Sequence, residues 1–405
     1  MDVQEQRVRF VVAASRREKP FTALCQEFGI SRPTGMLWCE RYRQAGIAGI
    51  AERSRRPQQS PTQTSAELEQ RVVEMRQRYP EWGARKLQVL LAREGVELTR
   101  GTIHRVLLRR DLVRESNRRR QALKRFEREE PNQLWQMDYK SPKGWNAAVG
   151  PLSVLDDHSR YLLVLQAVWS NHGAHVREQL EHVFLSCGVP DAMLMDHGVP
   201  WWSATAPTGA TALTWWLMKQ GIELHWSGYR HPQTQGKVER FHGSLERALQ
   251  ARAAPRQHPQ AWLDEYRREY NEVRPHEALG MQTPASVWRK SERRYQPQPP
   301  PWEYPAGAKV RKLDCQGKLT VKGRNWPVSA ALRGEWVQLE QIGERVLVYY
   351  CRTVIRELDL ESQSVKDVPR QTVKHVLELD TKTARHEAPG TQRLFRRMNF
   401  RISPH

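Results

Sequence analysis

The sequence predicts a multidomain chain in three parts: α-helical helix-turn-helix modules, then a mixed α/β core, then a small β-barrel. Three observations predict it. Short amphipathic segments punctuated by glycine fill the chain up to about Leu112. From Pro131 apolar strand-like runs begin to alternate with helical segments. Beyond the proline run at 296–301 only short apolar runs separated by glycines remain.

In the first module the pattern predicts a short helix over Phe21–Phe28, a tight turn at Gly29, and a longer helix capped by Ser31 that runs to about Gln44 and ends at Gly46. That second helix carries Arg32, Thr34, Trp38, Arg41 and Arg43, side chains suited to a major groove and its phosphates. The segment 54–62 is polar, basic and twice interrupted by proline, so Arg55 and Arg56 are expected on an extended linker that follows a DNA backbone. A second module starts near Ser65. Its elements are an amphipathic helix over 67–78, a helix opening at Trp82-Gly83-Ala84-Arg85-Lys86, a turn at Gly95, and a helix over 103–110 that carries Arg105 and is preceded by Thr99 or Thr102. The segment 117–128 is strongly basic with little apolar content, which places Arg118, Arg119 and Arg120 on a connector that tracks DNA.

The middle of the chain reads as strands at 134–138, 147–156 and 160–168, a helix at 174–186, and a strand at 192–196. A helix at 211–220, a strand at 222–226 and helices at 236–251 and 259–271 follow. Three strands followed by alternating helix and strand predict a sheet of ribonuclease-H-like type. Past the proline run, strand-like stretches between 308 and 360 predict the barrel. The expected boundaries are 1–55 and 62–115 for the two modules, 116–130 for the connector, 131–295 for the core, 305–362 for the barrel and 363–405 for a disordered tail.

The charge is distributed in the same three parts. The 405 residues hold 65 Lys and Arg against 45 Asp and Glu, a formal charge of +20. Residues 1–130 carry 28 basic and 17 acidic side chains, 131–295 carry 18 and 16, and 296–405 carry 19 and 12. A nearly neutral core between basic flanks suits an acidic metal-binding centre with nucleic-acid-binding arms. Cys25, Cys39, Cys187, Cys315 and Cys351 form no C-x-x-C pair, which argues against a disulfide framework or a cysteine zinc site. With no apolar leader and no apolar stretch near 18 residues, a cytoplasmic protein that associates with the nucleoid when bound to DNA is expected.

Three carboxylates carry the chemistry. Asp138 ends Leu134-Trp135-Gln136-Met137, Asp196 ends Ala192-Met193-Leu194-Met195, and Glu239 stands on a helix after His231-Pro232-Gln233-Thr234-Gln235-Gly236-Lys237-Val238. Taken singly, an Asp at a strand end is a turn former and a helical Glu is solvated. Taken together, two strand-end carboxylates and one on a helix face can bind two divalent cations. Such a pair, roughly 3.5–4 Å apart, clamps the attacking and leaving oxygens of a phosphoryl displacement. Magnesium, for which manganese can substitute, suits an all-oxygen donor set of this size. Asp156 and Asp157, in Asp-Asp-His-Ser-Arg between two strands, and Glu246, seven residues past Glu239, are the competing carboxylates. His225, His231 and His242 lack a compact zinc spacing.

The motifs Trp135-Gln136-Met137-Asp138, Asp156-Asp157-His158-Ser159-Arg160, the block His231 to His242, Tyr270-Asn271-Glu272-Val273-Arg274-Pro275-His276 and Tyr79-Pro80-Glu81-Trp82-Gly83-Ala84-Arg85-Lys86 are similar to those of the DDE transposases of bacterial insertion sequences, relatives of retroviral integrases. The resemblance covers roughly residues 10–360. It implies an integrase-like catalytic core in which Asp138, Asp196 and Glu239 are the metal-binding catalytic triad. It also implies a homo-oligomer, at least a dimer on double-stranded DNA, that reads terminal inverted repeats with its helix-turn-helix modules, nicks their 3′ ends and joins them to target DNA. DNA contacts are expected from Arg85, Lys86, Lys237, Arg240, His242 and Arg274, with those named above. Two positions depart from the family pattern: His197 follows the second Asp where Asn is usual, and Glu246 stands where a Lys often follows the catalytic Glu. They make a catalytically decayed copy that acts as a DNA-binding repressor the alternative. A nuclease of RNA–DNA hybrids fits tandem helix-turn-helix modules poorly.

Overall fold

The structure, a computed structural model, describes residues 3–17, 19–51, 63–113, 127–140, 150–168, 170–206, 208–227, 235–252 and 258–366. Arg55, Arg56, Arg118, Arg119 and Arg120 lie outside the described residues. The chain divides into two compact units, the first Met1–Ser65 and the second starting at Ala66.

The first unit holds α1 (Val3–Arg16), α2 (Phe21–Glu27) and α3 (Arg32–Ile50). Gly29 takes φ +64° between α2 and α3, a left-handed turn that glycine adopts without strain. Ser31 Oγ caps α3 by accepting from Thr34 N at 3.3 Å. Ala45 and Gly46 leave helical geometry inside α3, where the sequence predicts its end. The helix α1 was not expected, yet its Phe10 and Val11 are buried with Leu24, Cys25 and Ile50.

The second unit begins with α4 (Ala66–Arg78), α5 (Ala84–Arg93) and α6 (Arg100–Arg109) around Val72, Leu87, Leu91, Ile103 and Val106. Thr99 caps α6, accepting from Thr102 N at 3.2 Å. This module is locked onto the rest of the unit. Arg252 is held by Glu81 of the module (2.5 and 3.2 Å) and by Glu269 (2.7 and 2.8 Å).

The central sheet contains β1 (Trp135–Tyr139), β2 (Gly150–Asp156), β3 (Leu162–Val168), β4 (Ala192–Met195) and β5 (Glu223–Trp226), in the order β3-β2-β1-β4-β5. β1 to β3 form an antiparallel meander, and β1, β4 and β5 run parallel. Two parallel pairings bury β4 completely, which is why its sequence is an unbroken apolar run. α7 (Gly173–Cys187), α8 (Ala212–Lys219), α9 (Gly236–Ala251), α10 (Gln260–Glu272) and the short α11 (Pro284–Val287) complete the core. α9 turns Val238, Phe241, Leu245 and Ala248 inward at helical spacing, the last three against Leu155, Leu162 and Leu165.

The C-terminal part holds β6 (Lys309–Lys312), β7 (Lys318–Val321), β8 (Arg324–Pro327), β9 (Trp336–Ile342), β10 (Arg345–Tyr350), β11 (Thr353–Asp359) and β12 (Ser364–Lys366). The expected barrel takes the form of a five-stranded sheet, β12-β11-β10-β9-β6, with a separate β7–β8 ribbon; among the described residues no pairing closes β12 on β6. The ribbon shares the apolar core through Leu319 and Trp326, and Arg356 of the sheet donates twice to Val328 O just beyond it (2.9 and 3.0 Å). Side chains, rather than strand pairing, join the two parts. β12 also occupies the start of the segment expected as a tail.

Candidate active site

Two strand ends and one helix build the site. β1 and β4 pair with Trp135 opposite Met193 and Gln136 opposite Leu194. Carried on two residues, that register sets Asp138 level with Asp196 at the carboxyl ends of neighbouring parallel strands. The side chain of Asp138 is 20% exposed, Oδ1 accepts from Tyr139 N at 2.8 Å, and Oδ2 lies 3.6 Å from His242 Nδ1. Burial, then the charge of Asp196 and, more weakly, that of Glu239 push its carboxyl up to about 7, against the lowering effect of the Tyr139 N–H and Lys140. Asp196 and, more weakly, Glu239 thus both act on Asp138, and burial also raises Glu239.

Asp196 is fixed from its own loop. Oδ1 accepts from Gly198 N (2.9 Å) and from Trp201 Nε1 (2.7 Å). Trp201 is buried and stacks on Tyr139, the residue after Asp138, with ring centroids 4.9 Å apart. One indole thus links the two strand-end carboxylates. His197 places its ring edge-on to Trp202 at 4.6 Å.

The position of Glu239 depends on a buried polar network under the start of α9. Gln136 of β1 accepts from Val238 N (3.2 Å) and donates to Asp157 Oδ1 (2.8 Å). Asp157 Oδ2 accepts from Arg128 N (2.9 Å) and pairs with Lys237. Asp156 accepts from Ser159 N, Ser159 Oγ and Asn132 N at 2.6–2.7 Å. Both aspartates are fully buried. Through these bonds they hold the turn and the helix start. Glu246 accepts from Gln250 further along α9.

Several residues expected to touch DNA have other surroundings. The ammonium of Lys237 is 12% exposed on Asp157, and burial lowers it to about 8. His242 is buried, with Nε2 3.2 Å from Ser153 Oγ. Burial and Lys140 lower it to about 3, so its approach to Asp138 involves a neutral imidazole and is not an ion pair. Arg274 is buried against Tyr270, His276 and Ser244. Arg85 pairs with Glu277 at 2.8 Å and Arg43 with Glu40. Arg128, in the connector expected to track DNA, uses its backbone on Asp157. Arg32, Arg105 and Arg240 are exposed; Arg41 and Thr34 are half-buried, and Thr34 shares the α3 cap with Ser31. Sequence reasoning places Trp201 in the core, where it is buried, but does not foresee its bond to Asp196, the role of Gln136 or the Asp157–Lys237 pair. The available signals were a Trp five residues after Asp196 and a polar Gln inside an apolar strand.

The donor set is oxygen-only and anionic, the chemistry that hard divalent cations select. Among the described residues no three acidic, His or Cys side chains stand close enough to enclose a cation as they are. Asp138 is raised first by burial and then by the charge of Asp196, both of which a cation would offset, and in that sense the residues fit the group. No described helix is long and apolar enough to cross a membrane.

Comparison with known proteins agrees with this architecture. Residues 6–58 match the helix-turn-helix domain family and residues 34–107 the homeodomain-like domain. Residues 220–284, which include Glu239 but neither Asp138 nor Asp196, match the integrase core domain. Residues 308–366 match the C-terminal domain of IS481 family transposases. An uncharacterized 31.7 kDa protein of insertion element IS407 from Burkholderia multivorans is 26% identical over 239 residues, covering 57% of this chain and 83% of its own. An uncharacterized 39.2 kDa protein of insertion element IS476 from Xanthomonas euvesicatoria is 27% identical over 255 residues, covering 60% and 70%. Among solved structures, the HTLV-2 integrase catalytic core in complex with magnesium overlaps 39% of this chain and 97% of its own at 14% identity and TM-score 0.32. A simian T-cell lymphotropic virus intasome overlaps 68% and 91% at 14% identity and TM-score 0.36. Both overlaps are too loose to assign residue roles.

Proposed function

We infer that this insertion-element transposase, with its helix-turn-helix domains and integrase core, binds the terminal inverted repeats of its element, nicks their 3′ ends and joins them to target DNA. The observation that carries the reading is the level placement of Asp138 and Asp196 at neighbouring strand ends, with Glu239 acting on the same region. Asp138, Asp196 and Glu239 would hold two magnesium ions. Bound there, such ions activate the attacking oxygen and stabilise the leaving one.

The remaining steps fall to the chain's own residues. Trp201 keeps Asp196 turned toward the strand ends. Gln136, Asp157 and Lys237 fix the first turn of α9 and with it Glu239. Neutral His242 packs beside Asp138 without competing for its charge. The exposed Arg32 and Arg105 lie on α3 and α6, the last helix of each module, suited to phosphates at a major groove, and Arg240 stands beside Glu239. The open C-terminal sheet, with the exposed Lys309, Arg311 and Lys312 on β6, is a further basic surface for DNA. Assembly on DNA as a homo-oligomer follows from the need to bring two ends together.

The test is a nicking and joining assay with the purified protein and duplexes from the flanks of its own gene, in magnesium and in EDTA. Metal-dependent joined products support the reading. Specific binding to those flanks with no nicking in either condition overturns it.

A further inference from the structure

The helix α3 exposes an apolar pair, Met36 and Leu37, on its outer face. Its inner face is set by Gly35, Trp38, Cys39 and Tyr42, which recur at helical spacing against the core of the first unit. The contact is close: a Cβ on Gly35 would stand 2.7 Å from Phe10 Cζ and 2.9 Å from Cys25 Sγ. Trp38 meets Phe10 edge-on with ring centroids 5.8 Å apart, and the Arg7 guanidinium lies 5.3 Å from its ring. Thr34 is taken up by the Ser31 cap, and Arg41 is half-buried. Further along, Glu40 pairs with Arg43 and accepts from Gln44 Nε2 at 2.8 Å. Over the first two turns the outer face is therefore Arg32, Pro33, Met36 and Leu37, with Met36 59% and Leu37 48% exposed.

The position of the pair gives it meaning. In a helix-turn-helix the first turns of the recognition helix reach base edges. Met36 and Leu37 stand five and six residues past the cap Ser31, and in α6 the residues five and six past the cap Thr99 are His104 and Arg105, both exposed. The second module thus presents ring and guanidinium nitrogens at the place where the first presents only hydrocarbon and a thioether. In the major groove the apolar group on a base edge is the C5-methyl of thymine. The surroundings suit a polyanion: Arg32 lies one turn before Met36, and Glu40, the first acid of the helix, is already paired.

We propose that Met36 and Leu37 read the C5-methyl groups of thymines in the major groove of transposon-end DNA, so that the first module selects its site by apolar contact. The proposal rests on the reading above that the chain binds its own terminal DNA, and it names the base feature that is read. Burying one methyl group against these side chains strengthens binding about fourfold. Neither side chain neutralises a phosphate, so the salt dependence of binding does not move with them.

The test measures binding of the full chain to flank duplexes in which uracil replaces thymine one position at a time, which deletes a methyl and leaves every hydrogen-bonding group in place. The wild type should lose about fourfold in affinity at one or two neighbouring positions and nothing elsewhere. Met36→Ala and Leu37→Ala should bind the thymine duplex more weakly and lose that sensitivity to uracil, each with the wild-type slope of log affinity against log salt. Met36→Leu, which keeps an apolar side chain, retains the sensitivity. A scan in which uracil changes nothing at any position overturns the proposal. So does a uracil effect that persists in the folded double variant, and so does a double variant that alters self-association alone, which would make the face a protein contact. If the wild type prefers no flank sequence over a scrambled duplex, the end-recognition reading fails. The methyl contact is then decided on a dA·dT against a dA·dU duplex: a preference for dA·dT that the double variant lacks supports it, and equal affinities overturn it.

Discussion

Asp138→Asn should make the metal-free protein more stable, although it removes the carboxylate most central to the proposed chemistry. In the folded chain Asp138 is pushed from its ordinary 3.8 to about 7 by burial and by Asp196 and Glu239. Between those values the folded protein holds a proton that the unfolded chain has released, so stability is lost as pH rises through that window. Above pH 7 the full shift corresponds to about 4 kcal/mol. Water reaching a side chain that is 20% exposed screens part of it, so a gain of about 1–3 kcal/mol is expected for the amide, which can still accept from Tyr139 N. The assay is urea unfolding at pH 8 in EDTA, followed by tryptophan fluorescence. The gain should fade on acidification and vanish near pH 4. Magnesium should stabilise the wild type but not the variant. If Asp138→Asn is less stable than the wild type at pH 8 without metal, the electrostatic convergence of the three carboxylates is refuted.

Two further outcomes follow from the supporting residues. Trp201→Phe retains the stack on Tyr139 but loses the 2.7 Å bond to Asp196. A hydrogen bond to a charged group contributes about 1.5–3 kcal/mol, so the joining rate should fall about 10- to 150-fold in single-turnover assays, with end-DNA affinity unchanged. Lys237→Met leaves Asp157 buried without its cation and should cost about 3–5 kcal/mol in urea unfolding, and adding Asp157→Asn should recover most of that loss. Equal losses in the single and double variants would show that the pair is not what holds the start of α9.

Apolar patterning made the core legible. Strands at 134–138 and 192–196 stand out because both are buried on two faces, and Glu239 falls one position beyond the inward stripe of α9. Gly29 and Ser31 mark the first helix-turn-helix because a left-handed turn and an N-cap each demand particular residue types. The helix α1 escaped notice because half of its residues are polar and it buries only Phe10 and Val11. Lys237, His242 and Arg274 read as DNA contacts because ionisable side chains are usually solvated. Their burial comes from partners distant in sequence, Asp157, Ser153 and Ser244, which local pattern does not reveal. For the same reason Asp156 and Asp157 read as candidate ligands, while their hydrogen bonds to Asn132, Ser159 and Gln136 make them parts of the scaffold. Regular strand spacing suggested a closed barrel, but closure depends on pairing between the first and last strands, which spacing does not encode.

The proposal that Asp138, Asp196 and Glu239 hold the metal at which DNA is joined rests on three oxygen donors. Its most direct test is strand transfer by Asp196→Cys, since a thiolate is a poor ligand for magnesium and a better one for manganese. Joining should be lost in magnesium and regained in manganese. Joining that proceeds in magnesium as in the wild type, or is equally absent in both metals, would contradict it.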